Sequence, residues 1–296
     1  FDDLKFNYKD IIRLYNLNKK IFHLNTEKIR NVSLIKNKGQ LFWEKAKKII
    51  PGGTHLFSKR PDNFLPYLWP VYYSKAKGFK IWDLENKKYS DLCSMGFGTN
   101  LLGYANKKID NFVIDKLKKS NVSTLNSLED YFLAEKLINI HPWFDMVRFT
   151  RTGGEANSVA IRIARAATGK DKIAFCGYHG WHDWYLSSNI KNNKNLNNLL
   201  MAGLSSTGVP KNLKNTSFPF IYNDFESLEK IVLQNPDIGI IKMEVIRNIE
   251  PKNQFLKKIR DLANKKNLVL IFDECTSGFR GNFGGLHKKY GVIPDM

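Results

Sequence analysis

The sequence predicts an α/β protein: a large domain with a mainly parallel, mixed sheet flanked by helices, preceded by the N-terminal part of a small α+β domain. Two observations point there. From about residue 104 onward, segments with apolar residues every three to four positions alternate with short apolar runs bounded by turn residues, the pattern of helices crossing over between buried parallel strands. Before that point the texture differs, with one amphipathic stretch followed by short, polar, β-rich pieces. The expected division is therefore an N-terminal extension at 1–37 without an assignable role, a small-domain segment at 38–100 and a large domain at 101–296.

Taken in order, 38–50 ("KGQLFWEKAKKII") reads as an amphipathic helix stopped by Pro51-Gly52-Gly53. Extended pieces follow in "LWPVYYSKAKG" and "FKIWDLENKKYSDL", with a hairpin turn at "DLENKKY". Helices are expected over 105–119 and 127–140, and a strand at "MVRFT" (146–150). The next helix starts in "FTRTGGEANSVAIRIARAATG", where Ala156, Val159, Ala160, Ile163, Ala164 and Ala167 mark one face over three turns. A strand at "KIAFCG" (172–177) precedes a long Asn-, Ser- and Gly-rich loop at 186–216. Within it, 186–210 is read either as a lid or as a plain surface insertion. A helix at 225–234, a strand at 238–244, a helix at 253–266 and a strand at 268–274 close the pattern.

Composition narrows the function classes. No apolar run reaches the length of a membrane span, no signal peptide opens the chain, and no membrane partner is expected. The first residue is Phe1 rather than Met, which reads as a cut. Cys93, Cys176 and Cys275 are odd in number, far apart and without a CxxC pair, so a reduced, cytoplasmic protein without structural zinc is expected. The formal net charge of +19 raises nucleic acid as a partner. The basic residues are mostly Lys scattered through an Asn- and Ile-rich background, and Arg, suited to bidentate phosphate and base contacts, is scarce. No nucleic-acid partner is expected.

The chemistry gathers at the strand ends, where ligands bind in open α/β sheets. The strand at 146–150 runs into Thr152-Gly153-Gly154. A Thr followed three residues later by Glu155 is a capping box; the two glycines at a helix start also suit an anion, because free N–H groups and the dipole point at it. The readings are compatible. Tyr178-His179-Gly180-Trp181-His182 follows the next strand. His179 and His182 allow a zinc reading, aromatic core packing or a surface on which a flat ring stacks. Glu244 and Asp273 end the last two strands. A carboxylate closing an apolar strand needs a cationic partner, either a protonated pyridine nitrogen or a nearby guanidinium such as that of Arg280.

The stretches "TGGEANSVAIRIARAATGKDKIAFCGYHGWHDWY", "YND" (222–224) and "LVLIFDECTSGFRGNFGG" resemble class-III aminotransferases, pyridoxal-5′-phosphate enzymes of fold type I. Within that family the chain is similar to the glutamate-1-semialdehyde aminomutase-like proteins, a similarity that "IIPGGTHLFSK", "GFKIWDLENKKYSDL" and "YGVIPDM" extend over roughly 38–296. The resemblance implies that Thr152, Gly153 and Gly154 bind the cofactor phosphate, Tyr178 stacks on its ring with His179 following, and Asp273 partners the ring nitrogen. It also places Glu244 and Asn223 at the cofactor. The phosphate turn has Gly154 where the family has Thr, so backbone N–H groups carry more of the contact; Val245 replaces the family's Pro.

By register, Lys59, with Arg60 one position on, stands where the aminomutases place an Arg for the substrate carboxylate, and Met95 stands where an aromatic residue is expected. The Schiff-base lysine is expected a few residues after "PDM", beyond Met296, which makes residues 1–296 alone an inactive fragment. The activity implied is a pyridoxal-phosphate-dependent aminotransferase (transaminase) acting on an amino-acid-, keto-acid- or sugar-like substrate. Its partners are a small-molecule amino donor and acceptor, and its full-length form is a homodimer. The alternatives are a glutamate-1-semialdehyde 2,1-aminomutase and a non-catalytic fragment of the same fold.

Overall fold

The computed structural model describes residues 37–65, 68–92, 95–96, 98–199 and 203–296. The extension expected over 1–37, apart from Asn37, and Cys93 lie outside the described residues. The chain divides into two compact units between Asn121 and Val122.

In the N-terminal unit the expected first helix forms as α1 (Lys38–Ile49). The Asn37 side chain caps it, accepting from the Gln40 N–H at 2.9 Å. Trp43 and Ala46, three apart, are its buried apolar residues. Pro51 follows and opens a 3₁₀ turn. Strands β1 (Tyr73–Lys77), β2 (Lys80–Asp83) and β3 (Lys88–Ser90) pair antiparallel in that order. The hairpin expected in "DLENKKY" joins β2 to β3, and Asp83 builds it. One carboxylate oxygen accepts from the backbone N–H groups of Glu85 and Lys87, both at 2.9 Å, and the other from the Tyr89 hydroxyl at 3.0 Å. Helix α2 (Lys107–Leu117), capped by Asn106, belongs to the same unit.

The second unit holds α3 (Leu128–Ile140), α4 (Gly153–Thr168), β4 (Lys172–Cys176), the single turn α5 (Asp183–Leu186), β5 (Ser217–Pro219), α6 (Phe225–Gln234), β6 (Ile238–Glu244), α7 (Phe255–Lys266), β7 (Val269–Asp273) and the short α8 (Leu286–Tyr290). The sheet runs β5-β4-β6-β7, parallel at every pairing. Every residue of β6 is buried, which is why the central strands read as unbroken apolar runs. Because side chains alternate along a strand, each one feeds two cores. Ala174, Ile241, Met243 and Leu270 pack with Leu228 of α6 and Ile259 of α7. Ile173, Phe175, Ile240 and Ile271 pack on the other side with Ile161 and Ala164 of α4. The register sets Cys176 against Met243 and Glu244 against Asp273, so β4, β6 and β7 end at one level.

Three expectations needed correction. The strand expected at 146–150 joins no ladder among the described residues, and Met146 is 89% exposed. An apolar run becomes a strand only where a neighbour takes its backbone groups. Conversely β5 was missed: three residues at the end of a polar loop carry too little pattern to reveal it. The long loop is not a plain surface insertion in its first half. Leu196 is fully buried beside Phe175 and Tyr185. The Asn189 side chain donates to the Leu204 carbonyl at 2.7 Å and accepts from the Leu196 N–H at 3.1 Å, while Asn195 donates to the Ser188 carbonyl. The Asn-rich composition thus serves backbone groups that no ladder reaches.

Candidate active site

The start of α4 forms the expected capping box. Thr152 Oγ1 accepts from the Glu155 N–H at 3.1 Å, and the Glu155 carboxylate reaches back to the Arg151 N–H at 2.9 Å. The N–H groups of Gly153 and Gly154 donate to no protein acceptor among the described residues, which leaves free donors at the helix start. The glycines also have a steric reason. A Cβ on Gly154 would lie 2.5 Å from the His182 ring, and one on Gly153 would lie 3.1 Å from Cys275 Sγ. The His182 Nδ1 is buried there without a hydrogen-bond partner.

Asp273, at the end of β7, is the hub. Its Oδ2 receives hydrogen bonds from His179 Nδ1 and Asn157 Nδ2, both at 2.8 Å, and its Oδ1 from the Cys275 N–H at 3.0 Å. Lys242 Nζ stands 3.9 Å away. Arg280, the guanidinium weighed as its partner, instead donates to the carbonyls of Cys275 and Gly278. Burial alone would raise the Asp273 carboxyl. The His179 hydrogen bond and the Lys242 charge outweigh it and hold the group well below the usual carboxylate range.

His179 is fully enclosed, and its Nε2 donates to the Cys176 carbonyl at 3.0 Å. Both ring nitrogens therefore face protein oxygens. Burial and the Lys242 charge push the His179 ring below its ordinary value, opposed by Asp273. With both nitrogens facing protein oxygens, His179 has no open position for the zinc reading of His179 and His182.

Glu244 holds the neighbouring loop. It accepts from Arg247 Nε at 2.9 and 3.0 Å and also pairs with Arg247 Nη2. Its Oε2 accepts from the Tyr178 N–H at 3.3 Å. Only glycine suits position 177: its φ is +108°, and a Cβ would lie 2.6 Å from Glu244 Oε2. Tyr178 is half-buried and meets Tyr185 edge-on at 5.9 Å, and the Tyr185 hydroxyl donates to the Gly177 carbonyl.

The fold thus brings Thr152, Gly153, Gly154, Tyr178, His179, Glu244 and Asp273 to neighbouring strand ends and one helix start. Asn223 makes different contacts. Its amide donates to the Glu250 carbonyl and accepts from the Lys252 N–H, joining two loops. Lys59 and Arg60 belong to the N-terminal unit, where Arg60 pairs with Asp62 at 2.7 Å. Sequence reasoning passed over Asn157 and Lys242. Both carried a signal: a polar residue on the small-residue face of a helix, and a lysine inside an apolar strand.

A model of the family described as Aminotransferase class-III matches residues 66–296. The chain belongs to the class-III aminotransferase family. Among curated relatives, the 3-aminobutyryl-CoA aminotransferase of Cloacimonas acidaminovorans is 36% identical over 263 residues, covering 86% of this chain and 59% of that protein. The glutamate-1-semialdehyde 2,1-aminomutase of Methanobrevibacter smithii is 36% identical over 261 residues, with 86% and 59% covered. Among solved structures, an omega-transaminase from Sphaerobacter thermophilus superposes with a TM-score of 0.76 at 26% identity, covering 88% of this chain and 60% of that one. The chain spans about three fifths of the length of the curated relatives it matches.

Beside Asp273, this class-III aminotransferase chain carries another acid, the partly buried Glu274. It accepts from the backbone N–H groups of Leu286 and His287, from the His287 ring and from the Ser277 hydroxyl. Burial alone would raise it, but the His287 ring and these N–H donors lower it below its ordinary 4.5. A depressed carboxylate contributes stability that is present above its unfolded pKa and lost as pH falls through its folded one. The stability gap between wild type and Glu274→Gln is therefore expected to shrink as pH drops below about 4.5. Urea unfolding midpoints measured across that range check this; a constant gap would contradict it.

Among the described residues no helix is long and apolar enough to cross a membrane. Cys176 and Cys275 are free thiols, and burial pushes Cys176 up to about 12, which keeps it protonated and inert.

Proposed function

We propose that the full-length protein is a pyridoxal-5′-phosphate-dependent aminotransferase acting on an amino-acid-, keto-acid- or sugar-like substrate with a small-molecule amino donor and acceptor. The observation that carries the reading is Asp273, a buried carboxylate kept ionised at a strand end, level with Glu244 and beside a helix start with free N–H groups. The residues fit the cofactor: two unengaged N–H donors suit a phosphate, the orphaned His182 Nδ1 adds a polar atom there, and the half-buried Tyr178 offers a ring face. When bound, the cofactor supplies an electron sink conjugated to the carbon that exchanges the amino group.

The chain's own residues do the rest of the assigned work. Asp273 holds a proton at the ring nitrogen. Gly153, Gly154 and Thr152 bind the phosphate. Tyr178, fixed by Glu244, lies against the ring with His179 ordering Asp273, and Asn223 steadies the rim by joining two loops. Lys59 and Arg60 attract a substrate carboxylate. The reading includes a homodimer in the cytoplasm, for which the exposed apolar residues Leu128, Tyr131, Phe132 and Leu133 of α3 give support.

The test is amino transfer by the full-length protein from a panel of amino donors to 2-oxo acids, followed by product analysis; no transfer from any donor would sink the transaminase reading. The second reading is glutamate-1-semialdehyde aminomutase, supported by the Methanobrevibacter smithii relative at the same 36% identity. It requires isomerisation without an added donor. Neutralising Lys59 and Arg60 together is expected to raise KM for an acidic substrate on the order of tenfold, the loss of one charge-assisted contact of about 1.5 kcal/mol. An unchanged KM would point to a neutral amine or sugar.

A further inference from the structure

Lys242 interrupts an apolar strand. Ile240, Ile241 and Met243 around it are fully buried, and Lys242 itself is 1% exposed. The register places Phe175 of β4 on one side and Ile271 of β7 on the other. Lys242 shares its face of β6 with Glu244, one step inward from the strand ends. Its ammonium makes no hydrogen bond among the described residues, and its ion-pair partner is Asp273 Oδ2 at 3.9 Å.

That oxygen is already taken by His179 and Asn157. A buried ammonium is costly, and one carboxylate beyond hydrogen-bond distance compensates it poorly. The groups facing it are Asp273 and Cys275 from β7 and its loop, Glu244 from its own strand and His179 from the loop after β4; Glu244 is neutralised by Arg247. Lys242 therefore acts electrically on Asp273 and His179 more than on anything else.

We propose that Lys242 is a positioning residue that works through Asp273: its ammonium keeps that carboxylate ionised and competes with any further cation brought to it. In the absence of a second cation the arrangement preserves the charged hub. When a ring cation is presented at the strand ends, Lys242 weakens its hold on Asp273. The second consequence rests on the cofactor reading above; the first does not.

Two measurements on the full-length protein test this, comparing wild type with Lys242→Met, which removes the charge at similar volume, and Lys242→Arg, which keeps it. In the apoprotein, ¹⁵N resonances of the His179 ring report the pH at which that ring titrates. Removing the neighbouring positive charge moves that pH upward in Lys242→Met, and Lys242→Arg restores it; an unmoved titration overturns the proposal. With pyridoxamine 5′-phosphate as the probe, Lys242→Met is expected to bind on the order of tenfold more tightly than wild type, with Lys242→Arg near wild type. Equal or weaker binding overturns the competition. A wild-type protein that binds no pyridoxamine 5′-phosphate overturns the cofactor reading alone, and the His179 titration still decides the role of Lys242. Lys242→Gln gives the same comparison should the methionine variant fail to accumulate.

Discussion

Asp273→Ala in the full-length protein is expected to reduce turnover by on the order of 10²–10³-fold or more, the scale of losing one preorganised electrostatic partner in a site. It is also expected to cost stability. Removing the carboxylate leaves His179 and Asn157 without their shared acceptor and Lys242 without its counter-charge. Breaking a buried ionic pair from one side costs about 3–5 kcal/mol. The two effects separate in a second variant. Asp273→Asn combined with Lys242→Met removes both charges and keeps the shape, so most of the stability should return while turnover stays low. Urea unfolding and steady-state kinetics on the same preparations provide the comparison. Turnover within a factor of a few of wild type in either variant would remove Asp273 from the site.

Phe175→Ala should cost about 3–5 kcal/mol, the usual penalty for emptying a large buried aromatic position. Phe175 is fully buried on the face of the sheet that α4 covers, and its ring meets Tyr185 at 5.1 Å, Trp184 at 5.9 Å and His179 at 6.3 Å. It is the packing floor beneath the hub, so the variant should loosen His179 as well as lower the unfolding midpoint. Phe175→Leu, which keeps most of the volume, should lose far less. A cost for Phe175→Ala below about 1.5 kcal/mol would mean that the surrounding rings close the cavity and that this face is less tightly built than the contacts imply.

Much of the sheet was legible in the chain. The strands β4, β6 and β7 and the helices α6 and α7 came within a residue or two of their expected bounds, because each carries a full run of apolar residues. Thr152-Gly153-Gly154-Glu155 was readable as a cap for the same local reason: capping involves residues three apart. The failures share a different cause. The expected strand at 146–150 has an apolar run without a ladder partner, and β5 has a ladder partner without an apolar run. In each case the deciding group lies elsewhere in the chain.

The hub shows the boundary most sharply. By itself the sequence determined that an acid closes β7, that a Tyr-His pair follows β4 and that glycines open α4, since residue type and local spacing are properties of the chain alone. Only the tertiary structure decided that Asp273 is held by His179, 94 residues away, and by Asn157, 116 residues away, rather than by nearby Arg280. It alone put the Lys242 ammonium beside them. Pairing of charges in a buried site depends on which strand ends the sheet register brings level. Register is set by packing across the whole sheet, which no local pattern records.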